Sequence, residues 1–277
     1  MPFESALRRS RPVACQRTIK AARPALDWPV MPARLLFVFA HPDDESMGTG
    51  GTIARHVAAG VEVHVVCLTR GGAGWGGRRP GRRPEELPEI RTEEMHSAAN
   101  VLGLASVELW DYPDGGVSSC NQGEITQRIR EQVRSLRPEV VAGWASDGGY
   151  FHPDHIACGA CTDEALAGAG VPLYHFVLNP QIAADYRRLV SLSGHDPAEL
   201  KLCIWERTSV TFQCNADETD LKRRAIACHV SQLDEGWDGW ISGEVVLRGM
   251  ETESYMRVRD TNPANLILES GLFPELS

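Results

Sequence analysis

From Arg34 to Leu178 the chain alternates apolar runs of strand length with stretches of helical length, and this alternation restricts the fold to very few architectures. The strand-like runs are "RLLFVFA", "VEVHVVCLT", "SVELW", "EVVAGW" and "PLYHFVL". Between them lie "GTGGTIARHVAAG", "ELPEIRTEEMHSAANVLG", "GEITQRIREQVRSLRP" and "HIACGACTDEALAG". Strands separated by helix-length segments pair in parallel, with the helices crossing over the sheet. Runs as continuously apolar as "LLFVFA" are buried on both faces. The predicted fold is therefore α/β, a Rossmann-like, mostly parallel sheet with helices on both faces. After residue 179 the pattern changes to "ERTSVTFQCN", a helix "ADETDLKRRAIACHVSQL" and "GEVVLRGMETESYMRVR", read as antiparallel additions toward the C-terminus. There is no internal repeat, and 277 residues suit one large domain.

Residues 1–33 stand apart. Arg8, Arg9, Arg11, Arg17, Lys20 and Arg23 face only Glu4 and Asp27, and Pro12, Pro24, Pro29 and Pro32 interrupt the segment. We expect a basic, poorly ordered extension at 1–33, followed by a single domain over 34–277. No apolar stretch follows Arg8 and Arg9 as a signal peptide requires. No run approaches the roughly 20 apolar residues of a membrane span, so a soluble, cytoplasmic protein is expected. The net charge of −9 argues against a nucleic-acid binder, which needs a basic face. Small-molecule partners remain, together with a homo-oligomer. Eight scattered cysteines in a chain this size read as reduced thiols. "CGAC" at 158–161 has no second CxxC and lies on a helical pattern, so helix packing is its expected role.

In open parallel sheets, ligands bind beyond the carboxyl ends of the strands. "HPDDE" follows the first strand and "DGGYFHPDH" follows "EVVAGW". Carboxylates at such ends are costly unless a cation or water receives them. His41, Asp44 and His155 supply two imidazoles and a carboxylate, leaving an open position on a divalent metal for water. Asp43 and Asp44 are neighbours in a turn and should diverge, so Asp43 is free to take a proton from that water. Pro42 restricts His41 to an extended backbone. Glu45 is expected outside the ligand set, near a helix start that favours negative charge. "GTGG" is too short for a dinucleotide fingerprint, which disfavours an oxidoreductase. His56 and His64 read as surface or core histidines, and His229 as a pocket or helix-end residue. Trp75 and Trp110 are candidates to stack on a sugar, Trp144 a core residue. Asp111 and Asp114 read first as turn residues and second as hydroxyl binders.

"AHPDDE" and "HPDH", with "LTRGG", "RTEEMHSAANVLG", "WDYPDG" and "KRRAIACHVSQ" in the same order, resemble the LmbE-like, or PIG-L-like, family of zinc-dependent N-acetylglucosaminyl deacetylases over residues 34–235. The resemblance implies that His41, Asp44 and His155 bind zinc, with iron(II) the alternative occupant, and that Asp43 is the general base. It implies that His152 stabilises an oxyanion or protonates the leaving amine, oriented by Asp154. Tyr150 takes the place of an oxyanion-assisting tyrosine, and Arg70 that of a substrate-contacting arginine. Gly72 stands where many relatives carry glutamate. Arg78, Arg79, Arg82 and Arg83, in the loop 70–84, read as a solvated loop or an anion-contacting lid. The implied activity is metal-dependent removal of an N-acetyl group from a GlcNAc-containing small molecule, of the GlcNAc-inositol or GlcNAc-malate type. The alternatives are a different N-acyl substrate, or a binding protein on the same fold.

Overall fold

The computed structural model describes residues 32–74, 83–233 and 251–258. The expected N-terminal extension, Trp75, Arg78, Arg79 and Arg82 lie outside the described residues. The chain runs β1 (Arg34–Phe39), α1 (Asp44–Ala58), β2 (Glu62–Thr69), α2 (Leu87–Leu102), β3 (Ser106–Tyr112), α3 (Gln122–Leu136), β4 (Val140–Trp144), α4 (Gly148–Phe151), α5 (Pro153–Ala165) and β5 (Leu173–Phe176). It continues through α6 (Pro180–Leu192), β6 (Val210–Gln213), α7 (Ala216–Ile226), α8 (Val230–Leu233) and β7 (Thr252–Arg257).

The seven strands form one sheet in the order β3-β2-β1-β4-β5-β7-β6. β1 to β5 pair in parallel. β7 is antiparallel to both β5 and β6, so the expected antiparallel continuation is present. Alternate residues of β1 supply opposite faces: Leu35, Phe37 and Phe39 pack with Ile53 of α1, Met95 of α2 and Ala225 of α7. Leu36 and Val38 pack with Ile125 and Ile129 of α3 and Ala157 and Cys158 of α5. Burying each such large apolar side chain contributes about 1.5–3 kcal/mol, and β1 places one on each face in turn. This is why its sequence is apolar without alternation.

Two elements differ from the sequence reading. α6 was not anticipated; Asn179 caps it by accepting from the Ile182 N–H at 2.9 Å, with Pro180 in its first turn. The helix expected to run through "ADETDLKRRAIACHVSQL" stops at Ile226. The Cys228 and His229 N–H groups donate to Ala225 and Ile226, three residues back, and this tighter turn swings His229 inward before α8 begins.

β1 lies between β2 and β4, so strand order reverses at its carboxyl end. That is where a doubly wound sheet opens a crevice. The segments after β1 and β4 therefore meet. α5 approaches this crevice closely because Gly159 has no side chain: a Cβ there would lie 2.7 Å from the Trp144 carbonyl oxygen. Behind the crevice, Glu253 of β7 accepts from the Gly51 and Thr52 N–H groups of α1 at 2.8 and 2.9 Å, and from Lys222 Nζ of α7 at 2.6 Å. No helix among the described residues is long and apolar enough to cross a membrane.

Candidate metal centre

Asp44 opens α1 directly beneath the end of β1. Its Oδ2 accepts from the Ala40 and His41 N–H groups at 3.1 and 3.0 Å and from Trp144 Nε1 at 2.9 Å. Its Oδ1 lies 3.4 Å from His155 Nε2. One oxygen is thus saturated by donors and the other is left for a cation. Burial opposes ionisation of Asp44, but His155, His41 and the Trp144 indole outweigh it and hold the carboxyl well below its usual range.

His155 stands in the first turn of α5, stacked on Trp144 at 4.1 Å between ring centroids. Its Nδ1 is 3.2 Å from the Gly148 carbonyl oxygen, and its Nε2 is 3.0 Å from His41 Nδ1. The far nitrogen of His41 faces Asp114 Oδ1 at 3.0 Å and Asp154 Oδ2 at 3.3 Å. Each imidazole therefore has its outer nitrogen braced by an oxygen acceptor and its inner nitrogen turned toward its neighbour, the arrangement in which histidines hold a metal. Ligands on one tetrahedral zinc, bound at ~2.0–2.1 Å, stand about 3.3 Å apart, close to the separations here. Burial disfavours an imidazolium at His41, yet Asp114, Asp154 and Asp44 push its pKa up to about 10. The pocket is electrostatically built for positive charge, so the donor set fits a divalent cation. Among the described residues, ligand atoms within 4.8 Å of one another occur in two sets, His41 with His152 and His155, and His41 with Asp114 and Asp154; Asp44, expected as the third ligand, is in neither and reaches the cluster at His155, 3.4 Å away.

Asp43 diverges from Asp44 as the turn requires. Its carboxylate meets Arg91 Nη2 of α2 at 2.7 Å, with both side chains buried. Burial pushes the Asp43 carboxyl up to about 7, against the pull of Arg91. Arg91 also donates to the Pro42 carbonyl, and to that of Gly71 at 3.0 Å. Gly71 has φ +68°, and a Cβ on it would lie 2.4 Å from the Arg91 guanidinium. This gives "LTRGG" a structural reason. Gly71→Ala is expected to displace Arg91 and lower stability by about 1–3 kcal/mol, read from the urea midpoint at unchanged m-value. An unshifted midpoint would mean that Arg91 has slack.

The remaining expected residues fall as follows. Asp154 does not orient His152 through its carboxylate, which accepts from the Gly115 and Val117 N–H groups at 2.7 and 3.1 Å and faces His41. Its backbone does so instead: His152 caps α5, and its Nδ1 accepts from the Asp154 N–H at 3.2 Å. The proton of neutral His152 is thereby placed on Nε2. Burial and the nearby His155 and His41 lower the His152 pKa to about 4. The Tyr150 ring lies edge-on to His155, centroids 5.2 Å apart. Asp114, read first as a turn residue and second as a hydroxyl binder, lies against His41 and accepts from the Ala73 N–H at 2.8 Å. Arg70 is partly exposed and bonds Asp111 at 2.6 Å and Thr92 at 3.3 Å. Trp110 is corrected: it is buried in the core beside α3, with Arg128 stacked over it, and has no face for a sugar. Trp144 is buried as expected but also serves Asp44. His56 bonds the Thr52 carbonyl, and His64 Nδ1 lies 2.8 Å from Ser106 Oγ, both ordinary structural roles. Cys158 and Cys161 are unbridged and buried in helix packing. Sequence reasoning missed Arg91, and it left open the role of His229, which meets Glu45 at 2.9 Å.

Residues 36–166 match the model of the family described as PIG-L, GlcNAc-PI de-N-acetylase. The 1D-myo-inositol 2-acetamido-2-deoxy-alpha-D-glucopyranoside deacetylase of Rhodococcus jostii is 36% identical over 268 residues, covering 82% of this chain and 91% of the relative. Mycothiol S-conjugate amidase of Streptomyces coelicolor is 30% identical over 266 residues, covering 80% and 90%. Among solved structures, N,N'-diacetylchitobiose deacetylase from Pyrococcus horikoshii superposes with a TM-score of 0.58 at 25% identity, covering 81% of this chain and 83% of that one. Two relatives that match across nine-tenths of their own length extend the likeness well beyond the two histidine motifs. The chain belongs to the PIG-L, or LmbE-like, family.

Proposed function

We propose that the protein is a metal-dependent N-deacetylase that hydrolyses the acetamide of a GlcNAc-linked small molecule, of the GlcNAc-inositol or GlcNAc-malate type. The observation that carries this reading is the Asp44 oxygen left aside by the Ala40, His41 and Trp144 donors, facing His155 beside two imidazoles whose outer nitrogens are already braced. In the proposal, His41, Asp44 and His155 hold the metal, zinc or alternatively iron(II). When bound, such an ion supplies a Lewis acid for the amide oxygen and a water of pKa near ~7.

Asp43 removes the proton from the attacking water. Arg91 keeps that carboxylate pointed and ionisable despite its burial. A new C–O bond forms and gives a tetrahedral carbon, whose oxyanion receives the Nε2–H of His152 and the hydroxyl of Tyr150. A well-placed donor of this kind contributes about 3–4 kcal/mol in the transition state. With its pKa lowered to about 4, His152 is neutral and suited to donating a hydrogen bond. Asp43 therefore returns the proton to the amine as the C–N bond breaks, leaving acetate and the free amino sugar.

The amidase relative, named for a mycothiol S-conjugate, favours a second reading, hydrolysis of the amide of another N-acyl substrate such as a thiol conjugate. Acetate release from GlcNAc-inositol, GlcNAc-malate, N,N'-diacetylchitobiose and free GlcNAc tests the proposal. Release from one of the two conjugates is expected, abolished by a chelator and restored by zinc. Silence across the panel from metal-loaded protein would overturn the deacetylase and turn attention to other N-acyl substrates.

A further inference from the structure

Asp43 adopts φ 122° and ψ −24°, a conformation that a residue with a side chain rarely takes. Holding it costs on the order of 1–3 kcal/mol, so something over-determines it. The Asp43 N–H donates to Glu45 Oε2 at 2.9 Å. The other oxygen of Glu45 receives Ser46 Oγ at 2.5 Å and faces His229 Nε2 at 2.9 Å. Glu45 and His229 are both fully buried, and His229 Nδ1 has no hydrogen-bond partner among the described residues. A buried ion pair with a spare unsatisfied nitrogen is a poor way to gain stability, because apolar residues of similar volume often do as well.

The pair does, however, fix an acceptor under the N–H of Asp43. His229 is itself fixed through the next helix: the Ser231 N–H and Oγ donate to Glu94 of α2 at 2.6 and 2.7 Å. Glu94 lies one turn beyond Arg91, which grips the Asp43 carboxylate. We propose, building on the deacetylase reading, that Glu45 and His229 are positioning residues that lock Asp43 in its strained turn and aim its carboxylate at the attacking water.

Three variants test this: Glu45→Gln, which keeps an acceptor for the Asp43 N–H; the apolar double variant Glu45→Met/His229→Phe; and His229→Phe alone. Each is assayed for kcat, KM and bound zinc, and crystal structures report the Asp43 φ. Glu45→Gln should stay close to wild type. The double variant should bind zinc with KM unchanged, lose about 100-fold in kcat, and relax Asp43 to negative φ. His229→Phe alone should lose about tenfold in kcat, and it decides the matter if the double variant does not fold. Wild-type kcat in a folded double variant, or in His229→Phe, with Asp43 still at positive φ, would overturn the proposal. If the wild-type protein releases no acetate, the proposed function fails, and the Asp43 φ in the variants still decides the positioning role.

Discussion

Asp43→Asn is expected to keep its metal and lose roughly 100- to 10,000-fold in kcat, the usual contribution of a general base. Asparagine tolerates positive φ better than most residues, so the turn at φ 122° survives the change. Its amide can still accept from Arg91, which lies 2.7 Å from the native carboxylate. What it cannot do is take a proton. Because Asp43 points to α2 and Asp44 to His155, the metal content should match wild type. Zinc stoichiometry and kcat measured on the same preparation separate the two roles. A variant that loses its metal, or keeps kcat within tenfold, would remove Asp43 from the role proposed for it.

Arg91→Met should be the most damaging substitution outside the ligand set. It leaves the buried Asp43 carboxylate without its partner, a loss of about 3–5 kcal/mol when that group is ionised. The sign with pH follows. Burial already holds the carboxyl near 7, above its ordinary value of 3.8, and Arg91 is what pulls it down. Without Arg91 the folded-state pKa rises further, so the protonated form is the better tolerated one. The stability deficit relative to wild type should therefore grow as pH rises from mildly acidic toward alkaline values, and the acid limb of kcat/KM should move to higher pH. Urea unfolding at several pH values and a pH–rate profile check both. A deficit that is constant with pH would mean that Arg91 acts by packing alone.

The two motifs and the sheet were legible because each is local in sequence. The strands of β1 to β5 announce themselves as apolar runs, and the crevice follows from their parallel pairing. α6 carries its own signal, an asparagine cap followed by proline, in a stretch to which the sequence reading assigns no element. Arg91 and His229 lie in the quoted motifs "RTEEMHSAANVLG" and "KRRAIACHVSQ", but nothing there gives their partners. They act across 48 and 184 positions, on Asp43 and on Glu45, and nothing in either residue's neighbourhood marks a buried partner. Trp110 was misjudged for a related reason: an aromatic residue near a turn gives no sign of which sheet face it occupies. Asp154 divides its contacts in a way its sequence position does not reveal, its N–H reaching His152 while its carboxylate serves His41.

β7 closes the account of the sheet in an unexpected place, because it lies between β5 and β6 rather than at an edge. During synthesis the parallel strands emerge first and can pair as they appear, whereas among the described residues β6 pairs only with β7, which is made later. Until then the outer edge of β5 is open, and Lys222 has no Glu253 to meet. The helix that carries Asp44 and Glu45 likewise waits for Glu253 to accept from its Gly51 and Thr52 amides. Assembly of the crevice is thus tied to the arrival of a strand made well after the parallel ones. A ribosome-bound nascent chain stopped before Thr252 would expose an unpaired strand edge, and would need protection from its neighbours rather than from proteases alone.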